Sequence, residues 1–120
     1  MDTSAAEIRD VEKVIRNNPL IISLVEAFQI AAQDEDLLIR FLRDIHTGKE
    51  LEETAKRWAA ARLLLDGKMP AEVARLLGMS FVTIRIVLRC LIGSTVTGGY
   101  DRVFQALSQR GATTQIPGAD

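Results

Sequence analysis

A single cysteine, Cys90, is all the thiol that this 120-residue chain carries, so no intrachain disulfide can form. No histidine or second cysteine lies beside it in sequence, and Cys90 reads as a buried soft hydrophobe on a helix rather than a reactive thiol. Histidine also occurs once, and His46 alone cannot build a metal site; it suits a polar position near a helix end. Aromatic residues are only 5% of the chain, while Ala, Leu, Glu and Arg abound, a mix that favours helix over sheet. The longest apolar stretch, Leu20 to Ala32, is broken by Ser23, Glu26 and Gln29 and is too short to cross a bilayer. The opening Met1-Asp-Thr-Ser lacks the basic start and apolar run of a signal peptide, so the expected location is cytoplasmic, with no membrane partner. No histidine is paired with a nucleophile, no glycine-rich phosphate loop follows a strand, and no metal-spaced cluster occurs. The expectation is therefore a protein that is not an enzyme and has no catalytic or metal-binding residues. Glu50, Glu52, Glu53 and Glu72 read as solvated charge on helix surfaces.

The formal net charge of −1 conceals a split along the chain. Residues 1–39 carry eight acidic and three basic side chains, whereas residues 40–90 carry six acidic and ten basic. A basic middle in an otherwise acidic chain points to a polyanionic partner contacted by that segment alone.

The expected fold is all-α, since there is no repeat and no sustained strand pattern. Ser4-Ala-Ala-Glu7 fits a capping box, opening a helix that Asn17-Asn18-Pro19 interrupts. Leu20 to Ala32 is apolar almost all round, which suits the centre of a fold or a subunit interface. Asp34-Glu35-Asp36 starts the next helix, with Leu37, Leu38, Phe41 and Ile45 as its expected buried face and Arg40, Arg43 and Asp44 outward. Thr47-Gly-Lys-Glu50 is a second capping box. It opens a long helix with Leu51, Ala55, Trp58 and Ala59 along one side and Gly67 as its stop. Trp58 on that stripe reads as core. Gly93 to Gly99 reads as a loop, and Tyr100, Val103, Phe104 and Leu107 recur at the spacing of a short last helix. The organisation this suggests is an N-terminal helical segment over 1–33, a domain over 34–110 and a flexible tail over 111–120.

One stretch carries a functional signal. Pro70 suits a first helical turn, Ala74 is small where helices cross, Gly78 can adopt the left-handed turn, and Ser80 can cap the next helix. Ile84 follows as an aliphatic plug, with Val73, Leu77, Val87 and Leu88 around it. This is the spacing of a helix-turn-helix whose second helix enters the major groove; the plainer alternative is a helical hairpin with no DNA partner. With Ile84, Val87, Leu88 and Leu91 inward, the outward face of the second helix holds Phe81, Val82, Arg85, Ile86 and Arg89, with Ser80 and Thr83 near its start. Arg85 lies nearer the end that enters the groove and suits a base edge, while Arg89, Lys68 and Arg75 suit phosphates. The helix start at Ser80 can hold a phosphate as well. Phe81 and Ile86 suit thymine methyl groups or a partner protein.

The run from Leu42 to Met69, with Leu64-Leu-Asp-Gly-Lys68 within it, together with Gly78-Met-Ser-Phe-Val-Thr-Ile84, Arg89-Cys-Leu91 and Gly98-Gly-Tyr100, resembles the Trp repressor-like superfamily over about residues 34–108. The resemblance implies an intertwined helical homodimer that binds a palindromic double-stranded DNA operator and represses transcription. It further implies a corepressor site for L-tryptophan, with Arg57 and Thr83 matching two of its ligand-holding residues. The second arginine of that site falls on Ile86, a departure that removes a cation from both ligand and DNA and argues against tryptophan as the ligand. Two other readings share the scaffold: a DNA-binding module without ligand control, and a protein–protein adaptor using Phe81 and Ile86.

Overall fold

Asn18 ends one helical stretch and begins the next. In the computed structural model, which describes residues 12–92, 98–111 and 115–116, residues 12–17 are helical and Asn18 stands in an extended conformation after them. Its Oδ1 accepts from the backbone N–H of Leu20 at 2.9 Å and of Ile21 at 3.4 Å, and Pro19 fills the first helical position, where no donor is missed. Helix α1 then runs Pro19–Ala31. Asp34 caps α2 (Glu35–Ile45) through the Asp36 N–H at 3.2 Å, with Glu35 and Asp36 at the positive end of the helix dipole. At the other end of α2, Nδ1 of His46 lies 3.0 Å from the Leu42 carbonyl. A carbonyl can only accept, so Nδ1 carries the proton in that contact.

The Thr47–Glu50 capping box forms as its spacing predicts. The Thr47 N–H donates to Glu50 Oε1 at 2.9 Å, and the Glu50 N–H donates to Thr47 Oγ1 at 3.1 Å. Helix α3 (Gly48–Leu65) follows and stops where Gly67 takes φ +95°. The remaining helices are α4 (Pro70–Leu77), α5 (Phe81–Arg89) and α6 (Gly99–Arg110). No strand occurs among the described residues, which agrees with the all-α expectation, and no helix there is long and apolar enough to cross a membrane. The Ser4–Glu7 capping box and positions 93–97 of the Gly93–Gly99 loop lie outside the described residues.

The chain divides into two compact units between Glu52 and Glu53. In the second unit Ala60, Ala61, Leu63, Val73, Ile84 and Val87 form a fully buried cluster, flanked by Trp58, Leu64, Leu77, Leu91 and Tyr100. Trp58 stacks on Tyr100 with ring centroids 6.3 Å apart and planes 22° from parallel. Ile116, in the segment assigned to a tail, is half-buried against the same cluster. The side of α3 that packs differs from the expected stripe: Ala60, Ala61 and Leu63 are buried, Leu51, Trp58 and Ala59 are half-buried, and Ala55 is exposed. The consecutive alanines explain the difference. They make α3 weakly apolar on every side, so periodicity does not single out a face, and they let neighbouring helices approach closely.

In the first unit only Ala31 is buried among the described residues. Phe28 and Phe41 meet edge to face at 5.2 Å, joining α1 to α2. The expected buried face of α2 is corrected here: Leu37 and Ile45 are exposed and Leu38 and Phe41 only half-buried. Two short helices supply too little surface to cover one another. Leu20, Val25, Ile30 and Ile39 are left in solvent, Leu20 at 80% and Ile30 at 61% exposure. Cys90 is likewise half-buried rather than buried, because it caps the C-terminus of α5, and its thiol faces the Ile86 carbonyl at 3.5 Å.

Candidate nucleic-acid interface

The α4–α5 pair is built by backbone chemistry at three positions. Pro70 starts α4. Gly78 then turns the chain with φ +63° and ψ +39°, and its N–H donates to the Ala74 carbonyl, as does the N–H of Met79 at 3.0 Å. Ser80, extended at φ −67° and ψ 150°, caps α5 by accepting from the Thr83 N–H at 3.1 Å, and its hydroxyl lies 2.9 Å from that of Thr83. Val73 of α4 and Ile84 and Val87 of α5 lock the pair onto the core with no exposed surface beyond 1%.

With that face fixed, the other side of α5 is determined. Ser80, Phe81, Val82, Arg85, Ile86 and Arg89 are exposed, and Thr83 is half-buried. Phe81, Arg85 and Arg89 follow at intervals of four along one stripe, with Val82 and Ile86 on the next. No acidic residue lies on α5, so its outward face is cationic and apolar together. Of the other expected phosphate contacts, Arg75 is exposed in the last turn of α4, and Lys68 is half-buried between α3 and α4, its N–H donating to the Leu63 carbonyl at 3.0 Å.

A cleft of about 270 Å³ opens where α3 faces the turn and the start of α5. It is lined by Glu53, Lys56, Arg57, Gly78, Met79, Ser80 and Thr83. Arg57 and Thr83, 26 residues apart in sequence, come together here. Ile86 is not among the lining residues and is 42% exposed. Sequence reasoning missed Glu53 and Lys56 as part of this cleft and took Glu53 for plain surface charge. A signal was present, because Glu53 stands four residues before Arg57 and so shares its face of α3. The cleft thus sets one carboxylate, two cations and two hydroxyls around a single space, a donor and acceptor set matched to a polar, charged small molecule.

A second recess, lined by Trp58, Cys90, Gly99, Tyr100 and Val103, is mostly apolar. Burial pushes the Tyr100 phenol above its usual range, with the nearby Cys90 adding to the shift and the Arg57 guanidinium opposing it. At neutral pH that phenol is a neutral hydrogen-bonding group beside the Trp58 ring. Among the described residues no group of histidine, cysteine and carboxylate side chains is placed to hold a metal ion.

Comparison with known proteins adds one result. No curated protein and no solved structure gives a significant match. The family model described as Trp repressor protein matches residues 21–108, from within α1 to the last turns of α6. A match of that extent, spanning the Gly78 turn and the Ser80-capped helix after it, makes this chain a member of the Trp repressor family of transcription regulators.

Proposed function

We propose that the protein is a homodimeric repressor that reads a palindromic operator by laying α5 in the major groove. The observation that carries this reading is the outward face of α5, cationic and free of acidic residues, held rigid by Val73, Ile84 and Val87 beneath it. Arg85 takes a base edge, Arg75, Lys68 and Arg89 take phosphates, and the capped N-terminus at Ser80 sits against the backbone. The second copy covers the apolar side chains of α1 and α2 that a single chain leaves in water, Leu20, Val25, Ile30 and Ile39 among them. Two α5 helices held by a dimer would meet two half-sites one helical turn apart.

Ligand control, in this reading, acts through the cleft. Its walls are α3 and the start of α5, so an occupant that bridges Arg57 and Thr83 fixes the angle at which α5 leaves the core. Glu53 supplies a carboxylate for an ammonium group, and Arg57 and Lys56 supply cations for a carboxylate. L-tryptophan is the ligand to try first, with the arginine lost at Ile86 counting against it.

The test is binding of the full chain to random and genomic duplexes at two salt concentrations, with and without L-tryptophan. The expected result is selection of a palindrome, with affinity falling steeply as salt rises. In the same assay Arg85→Ala should weaken specific binding by about 1–3 kcal/mol and relax preference at one base pair. Absence of binding to any duplex at low salt would overturn the regulator reading and leave the protein–protein adaptor.

A further inference from the structure

The outward face of α5 is short of hydrogen-bonding groups. Phe81, Val82 and Ile86 are exposed at 52%, 68% and 42%, and Arg85 is the one polar side chain that emerges between them. Phe81 precedes Arg85 by one turn, Val82 by three residues, and Ile86 adjoins it. Three near neighbours of Arg85 on its own helix are therefore apolar, with Arg89 one turn further on. No asparagine or glutamine is present on α5 to pair with adenine, and no aspartate or glutamate to accept from cytosine. Phe81, Val82 and Ile86 adjoin one another, with Arg85 and Arg89 along their edge, which matches a surface that sets methyl groups beside electronegative edges. In duplex DNA that surface is the major groove, where thymine alone among the four bases presents a methyl group and guanine presents two acceptors.

Resting on the DNA-binding reading above, we infer that Phe81, Val82 and Ile86 read the 5-methyl groups of thymines in the major groove, flanking a guanine held by Arg85. Sequence preference comes from methyl contact at several pairs and from a bidentate hydrogen bond at one. The same chemistry extends to cytosine methylated at C5, which places a methyl group on the same ring position as thymine does.

Single-atom-group changes in the DNA test this without altering the protein. A duplex selected from a random library is remade with uracil for thymine at one position at a time, and each Kd is measured with the full chain. Each contacted thymine should lose about fourfold in affinity, the factor for burying one methyl group at about 0.8 kcal/mol. Where a contacted pair is changed to C·G, 5-methylcytosine should bind about fourfold better than cytosine. Phe81→Ala and Ile86→Ala, both at exposed positions, should bring the thymine-to-uracil ratio to about one at the positions that each side chain covers. Sequence-selective binding with a ratio of one at every thymine would overturn the inference while leaving the regulator reading standing. No binding to any duplex would overturn the regulator reading itself, and the two failures are thereby distinguished.

Discussion

Replacing Gly78 by alanine tests the turn that aims α5. Gly78 has φ +63° and ψ +39°, and a Cβ built on it meets no atom within 4 Å. Steric crowding therefore adds nothing, and the cost is confined to the backbone: an L-residue in the left-handed region loses about 1–2 kcal/mol. Asparagine tolerates that region better than alanine does, so Gly78→Asn should lose less than Gly78→Ala. In urea unfolding at one fixed protein concentration, a slope of about 2 kcal/mol per molar converts the alanine loss into a midpoint lower by about 0.5–1 M. Two outcomes would refute the reasoning. A loss well above 3 kcal/mol would mean that the Cβ strikes something and that the helices are closer than described. Equal stability of alanine and glycine would mean that the turn does not use the left-handed conformation.

The other predictions concern the core, the cap and the assembly. Ile84→Ala, at a position with no exposure, should cost about 2–5 kcal/mol against about 0.5–1.5 for Ile84→Val, as measured by chemical denaturation. The Glu50 carboxyl is held below its usual 4.5 by the Thr47 backbone N–H and then by the Thr47 hydroxyl. Its pKa is thus lower folded than unfolded, so the stabilisation is complete above the unfolded value and fades as pH falls through the folded one. Wild type should then exceed Glu50→Gln in stability at neutral pH, with the difference closing in acid below pH 4.5; a difference constant with pH would deny the charge a role. For the homodimer proposed above, Ile30→Asp, on the uncovered side of α1, should keep the helical circular dichroism signal while shifting sedimentation toward monomer; an unchanged sedimentation profile would count against that dimer.

What could be read from the sequence was local. Pro70, Gly78 and Ser80 each dictate their own backbone, and the structure shows the start, turn and cap where those residues stand. Thr47 and Glu50 form their box for the same reason, since both partners lie within one turn. The inward and outward sets on α5 followed from the helix-turn-helix spacing, which makes Ile84 the plug, and not from polarity, since Phe81, Val82 and Ile86 are apolar yet exposed. Burial elsewhere depends on what lies opposite, and there the pattern misled. Leu37 and Ile45 look like core residues, yet no described element of their own unit is large enough to bury them. The run Ala59-Ala60-Ala61 could face any direction, and the side that packed was decided by Val73 and Ile84. The cleft was half legible: Arg57 and Thr83 came with the family resemblance, while Glu53 and Lys56 joined them only once α3 and the turn were side by side.

The interleaving of residues along α5 also separates two histories within nine positions. Ile84 and Val87 answer to the core, and a change at either is felt by the whole unit. Phe81, Val82 and Ile86 keep much of their surface in solvent, so their exchange disturbs folding less than a change in the core while altering what the helix meets outside. Such a helix lets a lineage drift from one target to another in single steps, each step passing through a folded intermediate. A set of descendants built this way would share a scaffold and differ in address.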